Sequence, residues 1–165
     1  MNEYTLRLAS AADVPAISEI YNYYVLRSTC TYDLEPETLA ARQSWFDEHA
    51  PDKYPVIVAE SLGRVVGWGS LSQFHDRAGY APTVEASVYI AAEFHRRGLG
   101  RTILQDLIER ARRVGFHSVI GGASADQSAS IALQQSLGFV PVACLKEVGY
   151  KFDQWLDVVY LQLML

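Results

Sequence analysis

The chain has 165 residues, half of them apolar, enough for one domain with a substantial core and too few for two comfortable ones. Fourteen Lys and Arg against nineteen Asp and Glu leave a formal charge of −5, which argues against a nucleic-acid surface; the one basic cluster, Arg96, Arg97 and Arg101, suits a small anionic ligand. Cys30 and Cys144 stand far apart in no metal-like spacing, so neither a disulfide scaffold nor a zinc site is expected and a reducing, cytoplasmic compartment is the default. The start, MNEYTLRLAS, lacks the order of a signal peptide, and no run approaches the ~20 apolar residues of a membrane span, so a soluble protein without a membrane partner is expected.

In chain order, YTLRLA alternates as a half-buried strand should. ASAADVPAISEIYNYYVL follows as a helix, with Ser10 or Asp13 as cap and Val14, Ile17, Ile20, Tyr21 and Tyr24 at helical spacing. A second helical stretch runs from about Glu37 to Glu48, and PVIVAE, RVVGWGSLSQF and TVEASVYIA read as an antiparallel meander. After a glycine-bearing junction comes a helix with Ile103, Leu104, Leu107, Ile108 and Ala111 on one face, ending near Gly115. HSVIGGAS, the helix-like DQSASIALQQSLG, and the strands FVPVACLKEV and WLDVVYLQLML complete the chain. Strands on both sides of a central helix, with no linker or repeat, predict one mixed α/β sheet flanked by helices in a single domain spanning residues 1–165.

The junction EFHRRGLGRTIL sets two glycines and three arginines ahead of a helix. Glycines there let the backbone approach a ligand, and the free N–H groups of a first helical turn favour phosphate oxygens. A tight strand-to-helix turn with solvated arginines reads equally well from these residues alone. The spacing fits neither a P-loop nor the three-glycine dinucleotide fingerprint.

Read with the preceding TVEASVYI and the later SIALQQSLGF, the junction resembles the pyrophosphate loop of the GCN5-related N-acetyltransferase (GNAT) family. FHDRAGYAPTVEASVYI and YNYYVLRSTCTYDLEPETLAAR are similar to its phosphinothricin and methionine sulfoximine acetyltransferase branch. The resemblance implies a central, mostly antiparallel sheet of about seven strands flanked by about four helices. It implies acetyl transfer from acetyl-CoA to the α-amine of a small amino acid or analogue, in a ternary complex and without a metal; the four histidines show no ligand spacing. Members of the branch are commonly homodimers, and the alternating Leu161, Leu163 and Leu165 could cover a core or a partner.

By this resemblance the backbone of Arg97, Gly98, Leu99, Gly100, Arg101 and Thr102 holds the diphosphate, with Arg96 beside it and Gln127 further along. Val88, Tyr89 and Ile90 line the cofactor strand, and N–H groups near Tyr89 and Ile90 stabilise the oxyanion. Alternation puts Glu85, Ser87 and Tyr89 on one face of TVEASVYI, and the resemblance makes Glu85 the general base. Arg77 would pair with the acceptor's carboxylate, with Tyr80, His75 and Tyr32, and also Tyr24, near the acceptor.

Four positions depart from the family's pattern, the first of them Gln127, near which Asn is usual. His95 stands where Gln or Arg is usual, and His75 where some members have arginine. Gln134 stands where Tyr or His is usual, and its amide cannot deliver a proton at useful pH, which leaves water or a group such as Tyr89 as the acid. Two other readings stay open: acetylation of a different amine, such as a polyamine, aminoglycoside or protein N-terminus, and a non-catalytic acyl-CoA-binding module.

Overall fold

The computed structural model describes residues 4–165; Met1–Glu3, part of the amino terminus read above, lie outside the described residues. Strand β1 (Thr5–Leu8) leads into a 3₁₀ turn (Ala11–Asp13) and helix α1 (Val14–Arg27). Both cap candidates act together: the Asp13 carboxylate accepts the Ser10 N–H at 2.8 Å and the Ser10 hydroxyl at 3.1 Å. Arg7 clamps the same carboxylate at 2.7 Å and reaches Glu60 at 2.8 Å. This pins β1 to the start of α1.

Helix α2 (Leu39–Asp47) starts later than its pattern suggests, because Glu37 is held elsewhere. The Glu37 N–H donates to Asn22 Oδ1 and the Asn22 amide returns a bond to Glu37 O, each 2.9 Å. Thr38 then caps the helix by accepting the Ala41 N–H at 3.1 Å.

The meander is β2 (Val56–Ser61), β3 (Arg64–Gln73) and β4 (Thr83–Ile90). Helix α3 (Leu99–Val114), β5 (Ser118–Ser124), α4 (Ser128–Ser136), β6 (Val140–Lys151) and β7 (Gln154–Met164) follow. Strand β6 runs three residues past its expected end at Val148, because the Asp157 carboxylate takes the Glu147 N–H and the Lys146 ammonium, both at 2.9 Å, across a bulge.

The described residues form one seven-stranded sheet in the order β1-β2-β3-β4-β5-β7-β6, antiparallel throughout except between β4 and β5. The apolar stripe of α3 packs on one face with Ile57, Leu71, Val84 and Val119. On the other face Ile17, Ile20 and Tyr24 of α1 meet Val56, Val58 and Trp68. Each fully buried Leu or Ile contributes about 1.5–3 kcal/mol, so α3 is held by its stripe rather than by helix propensity. Among the described residues, no helix is long and apolar enough to cross a membrane.

Candidate active site

The parallel pair of β4 and β5 is short. Pairing covers Thr83 with Ser118, Val84 with Val119 and Glu85 with Ile120, and stops there. Beyond it β4 stays with β3 as far as Ile90, while β5 stays with β7 as far as Ser124. The two strands therefore part at Glu85 and leave a wedge in the sheet.

The wedge exposes one edge of β4. The Ala91 N–H donates to Val66 O at 2.9 Å, and antiparallel alternation then turns the main-chain groups of Tyr89 and Ser87 toward β3. Val88 and Ile90 turn theirs into the wedge, while their side chains pack with the α3 core. The amide of Tyr89, expected near an oxyanion, is thus spent in the β3 ladder. The Ile90 carbonyl accepts from the Tyr24 hydroxyl, which also meets His95 Nε2 at 2.5 Å. With the Tyr24 proton on Ile90 O, His95 donates from Nε2.

Glu85 is part-buried, and burial raises its carboxyl above the ordinary glutamate value. Ser72 of β3 stands directly across from it, and Ser87 follows two residues on, on the same face. Tyr89 continues that face into an aromatic cluster, 4.9 Å from Trp68 and 5.2 Å from Tyr21 between ring centroids. Burial raises the Tyr89 phenol well above its usual value.

At the junction, Gly98 caps α3 with φ 78°, a left-handed conformation that costs glycine nothing, and Arg96 adopts φ 59° two residues earlier. Such a turn converges successive N–H groups. Helical geometry leaves the amides of Leu99, Gly100 and Arg101 without an intrahelical acceptor. Thr102 does not share that freedom: its N–H donates to Gly98 O at 3.2 Å and its hydroxyl lies 3.1 Å from that of Tyr4. The Arg101 guanidinium is turned to Ser136 Oγ at 2.7 Å, and that of Arg97 lies 5.0 Å over the Phe94 ring. These free amides and the open edge of β4 fit an extended thioester with a diphosphate at its far end.

Gln127 caps α4, but its amide reaches Thr29 Oγ1 at 2.7 Å and so ties the loop after α1 to α4. Tyr32 of that loop bonds Ser124 Oγ at 2.8 Å, at the end of β5. His75, Arg77 and Tyr80 share an exposed loop before β4, with His75 against the Tyr80 ring at 4.8 Å and the Arg77 N–H donating to His75 Nδ1 at 3.2 Å. Gln134 is buried with its Oε1 unpartnered, in the space a side chain on Gly121 would fill: a Cβ there would come within 1.9 Å of that oxygen.

Sequence reasoning missed a buried cation. Arg42 is 2% exposed, paired with Glu37 at 2.6 Å and sandwiched over Tyr21 at 4.3 Å and Trp45 at 4.5 Å. It borders a cavity of about 260 Å³ shared with Trp68, Ser70, Ser87 and Tyr89. Its sequence signal is slight: an arginine three residues before a tryptophan in a short helical stretch.

A mixed sheet that opens at a part-buried carboxylate, beside a helix start with free amides, offers an extended acyl donor a strand edge at one end and a cradle of amides at the other. The profile described as the Acetyltransferase (GNAT) family matches residues 17–139. L-amino acid N-acyltransferase MnaT of Escherichia coli is 39% identical over 161 residues, covering 98% of this chain and 94% of that protein. Phosphinothricin N-acetyltransferase of Streptomyces viridochromogenes is 35% identical over 159 residues, covering 95% of this chain and 85% of its own. The structure of yncA of Salmonella typhimurium with its cofactor acetyl-CoA superposes with a TM-score of 0.95 at 39% identity, over 99% of this chain and 94% of the other. The chain belongs to the GNAT family and is an acetyl-CoA-dependent N-acetyltransferase.

Proposed function

We propose that the enzyme acetylates the α-amine of a small amino acid or analogue of the methionine sulfoximine or phosphinothricin kind, by direct attack in a ternary complex with Glu85 as general base. One observation carries the reading: the carboxylate raised by burial stands where β4 and β5 part, beside the strand edge suited to the thioester. The names of relatives support the acceptor class, among them methionine sulfoximine/methionine sulfone acetyltransferase of Salmonella typhimurium, 39% identical over 161 residues.

Acetyl-CoA supplies an activated acyl carbon. Glu85 takes the proton of the attacking amine, directly or through one water, and its raised affinity for protons suits it to that task near neutral pH. The N–H groups of Val88 and Ile90, aimed into the wedge, stabilise the oxyanion that attack creates, in the place first given to Tyr89. The amides of Gly98 to Arg101 hold the diphosphate. The departing thiolate takes its proton from the buffered solvent as it leaves, and Tyr89, whose phenol burial makes a weaker acid than usual, has no part in that step. Arg77 binds the acceptor's carboxylate from the exposed loop before β4, with His75, Tyr80 and Tyr32 around it.

The working enzyme is a homodimer, paired through β6. This strand is a sheet edge, and Val140, Val142, Leu145, Val148 and Tyr150 along it are all exposed, a surface that monomers avoid.

The deciding experiment is thiol release from acetyl-CoA with methionine sulfone, phosphinothricin, ordinary amino acids, spermidine and a peptide. Release with the amino acids, and a 10²–10⁴-fold loss of turnover in Glu85→Gln with acetyl-CoA affinity kept, is expected. Unchanged turnover in that variant would remove Glu85 from the mechanism.

A further inference from the structure

Acetylation of an amino acid leaves a proton count to close. An α-amine is mainly an ammonium at neutral pH, so it gives up one proton to become a nucleophile and a second once the C–N bond has formed. Glu85 holds one proton at a time. The first must leave the carboxyl before the second can be taken.

A route lies on the neighbouring strand. Ser72 of β3 pairs directly with Glu85 of β4, so their side chains share one face of the sheet with Cβ atoms about 4.5–5.5 Å apart. The Ser72 hydroxyl lies 3.1 Å from Nε2 of His49, just beyond the end of α2. His49 Nδ1 lies 2.7 Å from the Trp45 carbonyl, which can only accept, so Nδ1 carries the hydrogen. Burial lowers the proton affinity of the ring, with Arg42 working in the same direction and Glu48 against it, and the imidazole is neutral at neutral pH. Nε2 is then a lone pair, and Ser72 donates to it.

The surroundings suit a transfer along this line. Burial raises the Glu85 carboxyl and lowers the His49 imidazole, which narrows the gap between their proton affinities. Ser72 borders a cavity of about 260 Å³ that Ser87 also lines, with room for one linking water of ~30 Å³. His49 is part-exposed, so its ring can exchange a proton with solvent.

We propose that Ser72 and His49 form a proton relay that empties Glu85 within each turnover. The proton leaves the amine nitrogen for the Glu85 carboxylate. It passes to the Ser72 oxygen, directly or through one water, as the Ser72 hydroxyl hydrogen moves to His49 Nε2. The imidazolium gives its extra proton to solvent, and Glu85 is free for the second proton of the amine. Two protons thus leave the nitrogen, the thiolate takes one back from solvent, and one is released. The proposal rests on the reading of Glu85 as general base; Ser72 and His49 act through that carboxylate and touch neither substrate.

The test is thiol release with methionine sulfone, or with whichever amine of the panel is fastest, in His49→Ala, His49→Gln, Ser72→Ala and Glu85→Gln. Each is assayed with and without imidazole, the enzyme-free rate being subtracted. In both His49 variants and in Ser72→Ala, kcat should fall about tenfold or more while KM for acetyl-CoA stays within about twofold. Imidazole should restore kcat in His49→Ala in proportion to its free base, from the space the ring leaves against Trp45, and should do nothing for Glu85→Gln. His49→Gln keeps a hydrogen-bonding amide beside Ser72 but cannot be protonated, so it separates a relay from a bond that only pins α2 to β3. Parent kcat in His49→Gln or Ser72→Ala, or a loss in His49→Ala that ignores imidazole, would overturn the relay and leave Glu85 its role. Parent kcat in Glu85→Gln would remove the general base on which the relay stands.

Discussion

Glu85 and Ile120 form the last pair between β4 and β5, so the carboxylate that has lost water to burial stands at the apex of the wedge. Neighbouring strands normally satisfy each other's main chain, and here the sheet forgoes that pairing for four or five residues of β4. The unpaired edge is what an extended thioester can use.

Burial of Glu85 has an energetic sign. A carboxyl whose folded pKa is raised binds its proton more tightly in the folded state, so stability is greatest below the unfolded value and falls as pH rises through the folded one. Glu85→Gln has no such loss. The variant should therefore be the more stable at pH 7, by a margin that shrinks as the pH is lowered from the raised folded value toward the ordinary ~4.3 and is lost below it, read from urea midpoints at several pH values. A margin independent of pH would mean that the carboxylate is not penalised in the fold.

The same shift sets the activity profile. The acidic limb of kcat/KM should lie above the ~4.3 of an ordinary glutamate, with rates rising as Glu85 loses its proton. A limb at the ordinary value would argue against this carboxylate as the titrating base.

Arg77 lies on an exposed loop, so its replacement should leave the core intact. In Arg77→Ala, KM for a carboxylate-bearing acceptor should rise about tenfold or more, the worth of a charge-assisted bond, while KM for acetyl-CoA stays within about twofold. Equal effects on both substrates would count against carboxylate recognition.

Gly98→Ala forces a side chain into a φ of 78°. The strain should cost about 1–2 kcal/mol in chemical denaturation. Calorimetry should also find acetyl-CoA binding weakened about fivefold or more as the amides turn away from the diphosphate. Loss of stability with full affinity would assign Gly98 to the fold alone.

If two copies pair through β6, a charge on its exposed face should separate them. Val142→Lys should behave as a monomer by light scattering at concentrations where the parent chain is a dimer, with the circular dichroism of the parent. A parent chain that is monomeric throughout would dismiss the homodimer.

Local chemistry made much of this protein legible in its sequence. Period-two alternation separated Glu85, Ser87 and Tyr89 from Val84, Ala86, Val88 and Ile90, because side chains of a strand have two directions. The apolar stripe of α3 and its glycine boundaries set that helix, because its 3.6-residue period and left-handed ends are properties of neighbouring residues.

Other features depended on contacts between distant parts of the chain. Gln127 reads as a residue near a phosphate, yet it bonds Thr29, 98 positions away. Thr102 reads as part of the cradle, yet its amide closes the first turn of α3. Arg42 drew no reading from the sequence, and its burial between Glu37 and three aromatic rings appears when α1, α2 and β3 meet. The sequence alone determined the elements, their faces and the phosphate-ready helix start. Tertiary structure decided where the sheet opens and which polar atoms are left buried without partners, because pairing and desolvation depend on what the rest of the chain brings alongside each residue.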